Sequence, residues 1–458
     1  MRRLGRVARA EPGEAPEEDC MNRWAAAVVG ILVMVGPGAL YSFSLFSAPL
    51  IASFHWSLVN TTTAFALANF FLGVGAFVGG RWQDRVGPRL VAITGCVLWG
   101  VGNMLTGLTA SMGYGAVWVC YGVIGGFGCG MAYIAALCAV IKWFPERRGF
   151  GGGLIIGGFG LGAFFYNLLL KGLTPYPRIA KEAAAYVTAR AAATANHAGF
   201  DQARFTLPSH DITSLLSLFV VSGAIFLIFG GLIAVLLQNP PADIVASGER
   251  GPQFNTRQML ASPQFYILWT MLFLNVTAGI IIISNAVPIM TELTGASAAV
   301  VAGLYATLSL FNGFGRVFWG WLSDRIGRRY AFAGIFGIQV LVFFVMGSIT
   351  SLPLLCVAFA IVLLCYGGGF GTMPAYNADY FGMRHYGSNY GLNLTAWGCA
   401  GLAGPWFAAT VQHITGSYAG ALQPAAIMLS VAIIFPLISD QSPASRKLPT
   451  PRSVTTSS

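Results

Sequence analysis

Gly80-Arg-Trp-Gln-Asp84-Arg85-Val-Gly87-Pro-Arg89 and Gly320-Trp-Leu-Ser-Asp324-Arg325-Ile-Gly327-Arg328-Arg329 are one loop written twice. Each copy follows a stretch of about twenty apolar residues, long enough to cross a bilayer as a helix. A weaker echo links Trp143-Phe-Pro-Glu-Arg-Arg-Gly149 to Tyr380-Phe-Gly-Met-Arg-His385. Working outward from these pairs, apolar spans recur at Trp24–Phe46, Thr62–Gly80, Leu90–Leu108, Tyr114–Ile141, Phe150–Leu170 and Leu215–Leu237. They recur again at Phe265–Ile283, Ala298–Leu322, Ala331–Ser348, Leu354–Ala375, Tyr390–Ile414 and Tyr418–Leu437. The expected fold is an all-α membrane protein of twelve transmembrane helices in two pseudo-symmetric six-helix halves. Its parts are a polar tail (1–21), a first half (22–237), a central loop (238–263), a second half (264–437) and a terminal tail (438–458).

Composition agrees. Of 458 residues, 56% are hydrophobic and only 9% charged, too apolar for a soluble fold. The formal charge of +10 sits in short clusters between spans, such as Arg81, Arg85 and Arg89 or Arg325, Arg328 and Arg329. The positive-inside rule accounts for that placement without nucleic acid. It puts both termini on the cytoplasmic side of a bilayer, most simply a bacterial inner membrane. Outside lies one long segment after the fifth span, whose Ala-rich run from Ile179 to Ala198 reads as a surface helix capping the bundle. Near the start, the acidic residues Glu11 to Asp19 separate the first arginines from the apolar run, which makes a solvated tail and not a secretory signal. Seven of the eight cysteines lie inside spans without metal spacing, so no metal site or disulfide framework is expected. Gly125-Gly-Phe-Gly128-Cys-Gly130 lacks the strand and acidic residue of a nucleotide loop and reads as close helix packing. No cofactor is called for, and no enzymatic constellation is present.

The paired Gly-x-x-x-Asp-Arg-x-Gly-x-Arg loops in twelve spans resemble the signature of the major facilitator superfamily. Within it, Lys142–Gly149, Ser262–Trp269, Phe311–Gly320, Ala378–Gly382 and Asn389–Gly391 resemble the oxalate/formate antiporter and monocarboxylate transporter branch, from Asn22 to about Leu437. On the residues alone, Asp84 and Asp324 sit just past helix ends. There they can pair with basic neighbours such as Arg85, Arg89, Arg325 and Arg328, or with a helix N-terminus, to gate one face of the bundle.

Arg316 is the only Lys or Arg inside any span. A lone cation there costs about 2.5–3.5 kcal/mol or more unless it meets an anion or water. Eight residues before Asp324, it lies roughly 12 Å inside the surface at about 1.5 Å per residue, near the middle of a core about 30 Å thick. Tyr305, Ser309, Asn312 and Arg316 share one helix face. A guanidinium grips a carboxylate with two parallel hydrogen bonds, so Arg316 is expected to bind an anionic substrate. The competing reading is a structural arginine held by backbone carbonyls or by a carboxylate such as Asp379.

The resemblance implies more. The arginine at this place in the oxalate exchangers belongs to the substrate site, and Trp397 stands where they carry a second cation, a lysine. One cation suits a monocarboxylate, because a dianion would leave a charge uncompensated. Tyr41, Tyr133, Tyr366 and Phe370 fall where the family has its aromatic substrate box. Asn389, Asn393 and Trp397 repeat every four residues, so Asn393 can donate to the substrate. Monocarboxylate transporters carry an aspartate where this chain has Asn312, which leaves Asp379 as the candidate for proton coupling. Expected partners are a small carboxylate, the lipid bilayer, and protons or a counter-transported anion; nothing bears on oligomeric state. The expected function is secondary active transport of small organic anions by alternating access, with oxalate-type dianion exchange or a non-transporting membrane sensor as alternatives.

Overall fold

The computed structural model describes residues 21–172, 175–195, 207–244, 251–417 and 419–439. It is a bundle of helices, and among the described residues there is no strand. In chain order the long segments are α1 (Arg23–Phe54), α2 (Leu58–Val86), α3 (Pro88–Met112), α4 (Tyr114–Ile141), α5 (Arg148–Gly172) and α6 (Ser209–Val235). The second half follows with α7 (Pro263–Thr294), α8 (298–326), α9 (Arg328–Met346), α10 (Leu352–Phe381), α11 (386–415) and α12 (Ala419–Ile438). Among the described residues, ten helices are long and apolar enough to cross a membrane. The other two expected spans, α8 and α11, are each broken in two, at Ser309 and at Leu394.

The helices outrun the apolar stretches that announced them. The first continues eight residues beyond Phe46, burying Leu50, Ile51 and Ala52 between Ser47 and Ser53. The seventh continues past Ile283 to Thr294 through a kink at Asn285, one turn before Pro288, where the ring removes a backbone donor. After α5, the expected surface helix spans Tyr176–Ala195; its later residues lie outside those described. Ile179, Ala183 and Tyr186 bury against Ile51 and Ala52 at the end of α1, and Tyr186 hydroxyl meets His55 Nδ1 at 3.1 Å.

Two seams join the halves at the end that carries the repeated loops. Asp84, at the close of α2, accepts hydrogen bonds from Gly387 N (3.0 Å), Ser388 N (2.8 Å) and Ser388 Oγ (2.6 Å) at the start of α11. Asp324, at the close of α8, accepts from Gly149 N (2.9 Å) and Phe150 N (2.7 Å) at the start of α5. Each carboxylate thus caps the exposed N–H groups and the positive end of a helix in the opposite half. The same two seams are tight enough to require glycine: a Cβ on Gly80 would lie 2.0 Å from Gly387 O, and one on Gly149 2.3 Å from Gly320 O.

Candidate functional site

Arg316 is fully buried on α8 between the halves. Its backbone is clamped on both sides, since a Cβ on Gly153 of α5 or Gly371 of α10 would come within 2.3 and 2.0 Å of the Arg316 carbonyl oxygen. With α8 held this close, the side chain reaches across to α5, where Nη1 donates to Ile156 O at 2.9 Å. Nε makes a long contact of 3.4 Å to Asn312 Oδ1, one turn back on the same helix. Nη2 makes no hydrogen bond. Among the described residues no carboxylate pairs with Arg316.

Aromatic faces surround the guanidinium. Phe370 lies 5.2 Å from it, Phe159 5.6 Å and Tyr41 6.0 Å. Desolvated cation–π contacts of this kind contribute about 0.5–2 kcal/mol each and offset part of the cost of burying the charge. Trp397 faces the same three rings at 4.7 Å (Phe370), 5.5 Å (Phe159) and 6.1 Å (Tyr41), and adds Tyr133 at 5.7 Å. Tyr366 packs on Phe370 at 5.4 Å and meets Tyr41 hydroxyl to hydroxyl at 3.3 Å, closing a ring of side chains drawn from both halves.

Local breaks in helix geometry put several of these groups in place. Tyr41 sits in a 3₁₀ turn, Ala39–Ser42, that interrupts α1. The break at Ser309 lies just before Asn312 and Arg316, and the break at Leu394 follows Asn393. Around Leu394 the ladder tightens, with Trp397 N donating to Leu394 O three residues back at 3.0 Å. Such irregular turns re-aim side chains that a straight helix would leave in register. Asn393 and Trp397 are buried, and neither the Asn393 amide nor Trp397 Nε1 has a hydrogen-bond partner. The cluster is therefore a cage of aromatic walls around one cation, with unmet N–H groups on Arg316 and Trp397.

The structure brings Tyr41, Tyr133, Asn312, Arg316, Tyr366, Phe370 and Trp397 to this region, while Asn393 is buried one turn before Trp397. Asn389 is elsewhere, its Nδ2 donating to Phe254 O at 2.8 Å. Asp379 is also elsewhere. It lies at the seam end of α10, where Arg148 Nη1 (3.3 Å) and Arg328 Nε (3.0 Å) both reach it. Arg328 also pairs with Asp324 at 2.7 Å, while Arg325 stacks on Trp321 at 3.8 Å. Arg85 and Arg89 are exposed and make no ion pair among the described residues. Sequence reasoning missed Phe159 and the Ile156 carbonyl: α5 shows an unbroken apolar surface in which nothing separates a cage phenylalanine from a packing one. It also missed Arg148, whose only signal was its place beside the start of α5.

A twelve-helix bundle with inter-half carboxylate caps and a buried central cation defines a membrane transporter built from two repeated halves. The model of the Major Facilitator Superfamily matches residues 27–195 and 268–457, and the chain belongs to that family. It is similar to the oxalate:formate antiporter of Oxalobacter formigenes, with 28% identity over 85% of both chains. It is also similar to apicoplast pyruvate carrier 1 of Toxoplasma gondii, with 29% identity over 77% of this chain and 69% of the carrier. Among solved structures, the transporter FucP in its outward conformation shares the fold at a TM-score of 0.66 and 16% identity, covering 91% of this chain and 98% of FucP.

Proposed function

We propose that the protein is a secondary transporter of small organic anions, above all monocarboxylates, that binds the substrate carboxylate at Arg316 and works by alternating access. The carrying observation is the Arg316 guanidinium itself: fully buried, without an acidic partner, with Nη2 making no hydrogen bond. A buried charge with no acidic partner and a free N–H group is costly, and an anion that shares the site for part of the cycle offsets that cost. Similarity to an oxalate:formate antiporter and a pyruvate carrier supports the same substrate class.

One cation sets the charge the site tolerates. Trp397, Tyr133 and Phe370 supply walls, and the Trp397 indole and Asn393 amide supply neutral donors for a keto or hydroxyl oxygen. We therefore place 2-oxo and 2-hydroxy monocarboxylates ahead of dianions. The cage residues include no carboxyl or imidazole group to carry a proton. Asp379, held between two guanidiniums at the seam end, fits a structural acid of the closed face. Coupling is thus assigned to a counter-transported anion.

The caps from Asp84 and Asp324 hold one face closed, and their release, together with Arg328 and its aspartates, would open the site on that side. The basic loops place that face in the cytoplasm of a bacterial inner membrane. The halves are divided at residues 238–263. Proteoliposomes containing the purified chain and loaded with unlabelled anion test this reading. Exchange of labelled pyruvate or lactate that Arg316→Ala abolishes is the expected result. Transport of an uncharged sugar with Arg316→Ala unaffected would sink it, and preferred oxalate exchange would remove the single-charge argument alone.

A further inference from the structure

Beside the cage, within the second half, two amide side chains are buried completely. Asn275 lies on α7 and Gln339 on α9. Gln339 Nε2 donates to Asn275 Oδ1 at 3.1 Å, and Asn275 Nδ2 donates to the backbone carbonyl of Tyr366 on α10 at 3.2 Å. The chain of bonds ends on the turn that carries two of the second-half aromatic walls, Tyr366 and Phe370. That turn is Tyr366-Gly-Gly-Gly-Phe370, and its glycines let α8 and α7 approach closely: a Cβ on Gly367 would lie 2.0 Å from Asn312 O, and one on Gly369 2.2 Å from Asn275 Nδ2.

We propose that Asn275 and Gln339 are positioning residues for the substrate cage: a two-amide strut that fixes the glycine turn, and through it the placement of Tyr366 and Phe370. The inference rests on the reading of the cage as the substrate site. One turn along α7 from Asn275, Gly279 leaves room for the Tyr366 ring, since a Cβ there would lie 1.9 Å from it. The α7 surface thus holds Tyr366 at two points, the carbonyl and the ring. Gln339 takes the Asn275 carbonyl oxygen as acceptor, which turns the Asn275 N–H group toward Tyr366. Held there, Tyr366 meets Tyr41 across the halves, and Phe370 lies under the Arg316 guanidinium.

Packing alone does not account for the strut. Gln339 Oε1 is buried with no partner, a cost that an apolar side chain of the same shape would avoid. Orientation of Asn275 is the return on that cost. A site that must hold its aromatic walls against a cation to fractions of an ångström needs its supporting groups fixed in this way.

The test compares Asn275→Leu, Gln339→Leu and the double variant in proteoliposomes, using whichever of pyruvate, lactate, formate and oxalate gives the largest flux in the unaltered chain. Arg316→Lys is measured alongside. Loss of alignment is expected to raise KM about tenfold with the maximal rate within about twofold. The double variant should be no worse than Asn275→Leu, because the two amides act as one unit. Gln339→Leu leaves Asn275 in place and carries the test if Asn275→Leu does not fold. An unchanged KM, or additive losses in the double variant, overturns the strut, whatever Arg316→Lys does. Normal flux in Arg316→Lys would separately remove the bidentate grip, and normal flux in Arg316→Ala the Arg316 reading. Absence of flux for all four anions overturns both.

Discussion

Arg316 belongs to the second half of the protein, and its Nη1 donates at 2.9 Å to the carbonyl oxygen of Ile156 in the first. The charged group we propose as the substrate hook is therefore also a contact between the two halves. An anion arriving at Nη2 leaves this bond in place. Nη1 carries a second N–H, so an anion breaks this bond, and would couple binding to movement of α5 against α8, only if it takes the N–H now given to Ile156 O.

Arg316→Lys tests geometry at constant charge. An ammonium loses the flat faces shared with Phe370 and Phe159 and the fork that grips two carboxylate oxygens. We expect uptake to fall about 100-fold, equivalent to about 2.7 kcal/mol, with the protein still folded. Labelled pyruvate exchange measures it, and uptake within twofold of the unaltered chain would argue against a bidentate grip.

Trp397→Lys tests the single-cation rule. Two unit charges about 4 Å apart attract by about 4 kcal/mol at an effective dielectric near 20, from which the cost of burying the lysine must be subtracted. The ratio of oxalate to pyruvate exchange should rise about tenfold or more. An unchanged ratio in correctly inserted protein would mean that charge count does not set the preference.

Asp84→Asn and Asp324→Asn each weaken one helix cap, a change of about 0.5–2 kcal/mol. Cys138 is buried on α4 at the same end as Asp84, and it reports opening there. Each substitution should speed maleimide labelling of Cys138 by about 2- to 30-fold, read by peptide mass spectrometry. The two effects should nearly add, because the caps lie on separate seams.

Gly153→Ala and Gly371→Ala press on the same carbonyl oxygen, that of Arg316, from opposite sides. Overpacking of this kind costs about 1–3 kcal/mol. Gly153 lies on the seam between halves, so the alanine can be accommodated by opening; Gly371 lies within one half and offers no such relief. We expect Gly371→Ala to lower the melting temperature and Gly153→Ala to leave it nearly unchanged while accelerating Cys138 labelling. The reverse pattern would contradict the assignment of the seam.

Arg316, Trp397 and Asn312 were legible because their chemistry is out of place in an apolar helix, or because a motif aligns them. Phe159 was not. An aromatic side chain in an apolar span looks the same whether it packs against lipid, a neighbouring helix or a guanidinium. Asp379 shows the converse: its sequence position left open both a proton carrier and a structural acid, and the fold set it between Arg148 and Arg328, away from Arg316.

By itself the sequence determined the membrane fold, the two-fold repeat, and the presence of one deep cation. Those follow from local quantities: the length of apolar runs, the recurrence of a charged loop, and the cost of charge in hydrocarbon. Tertiary structure decided which surfaces face each other. The caps of Asp84 on Ser388 and Asp324 on Phe150, the Ile156 carbonyl under Arg316, and the strut from Gln339 through Asn275 to Tyr366 join residues distant in the chain. No local pattern marks such a contact, because its energy depends on the approach of two helices, and that approach is fixed by packing across the whole bundle.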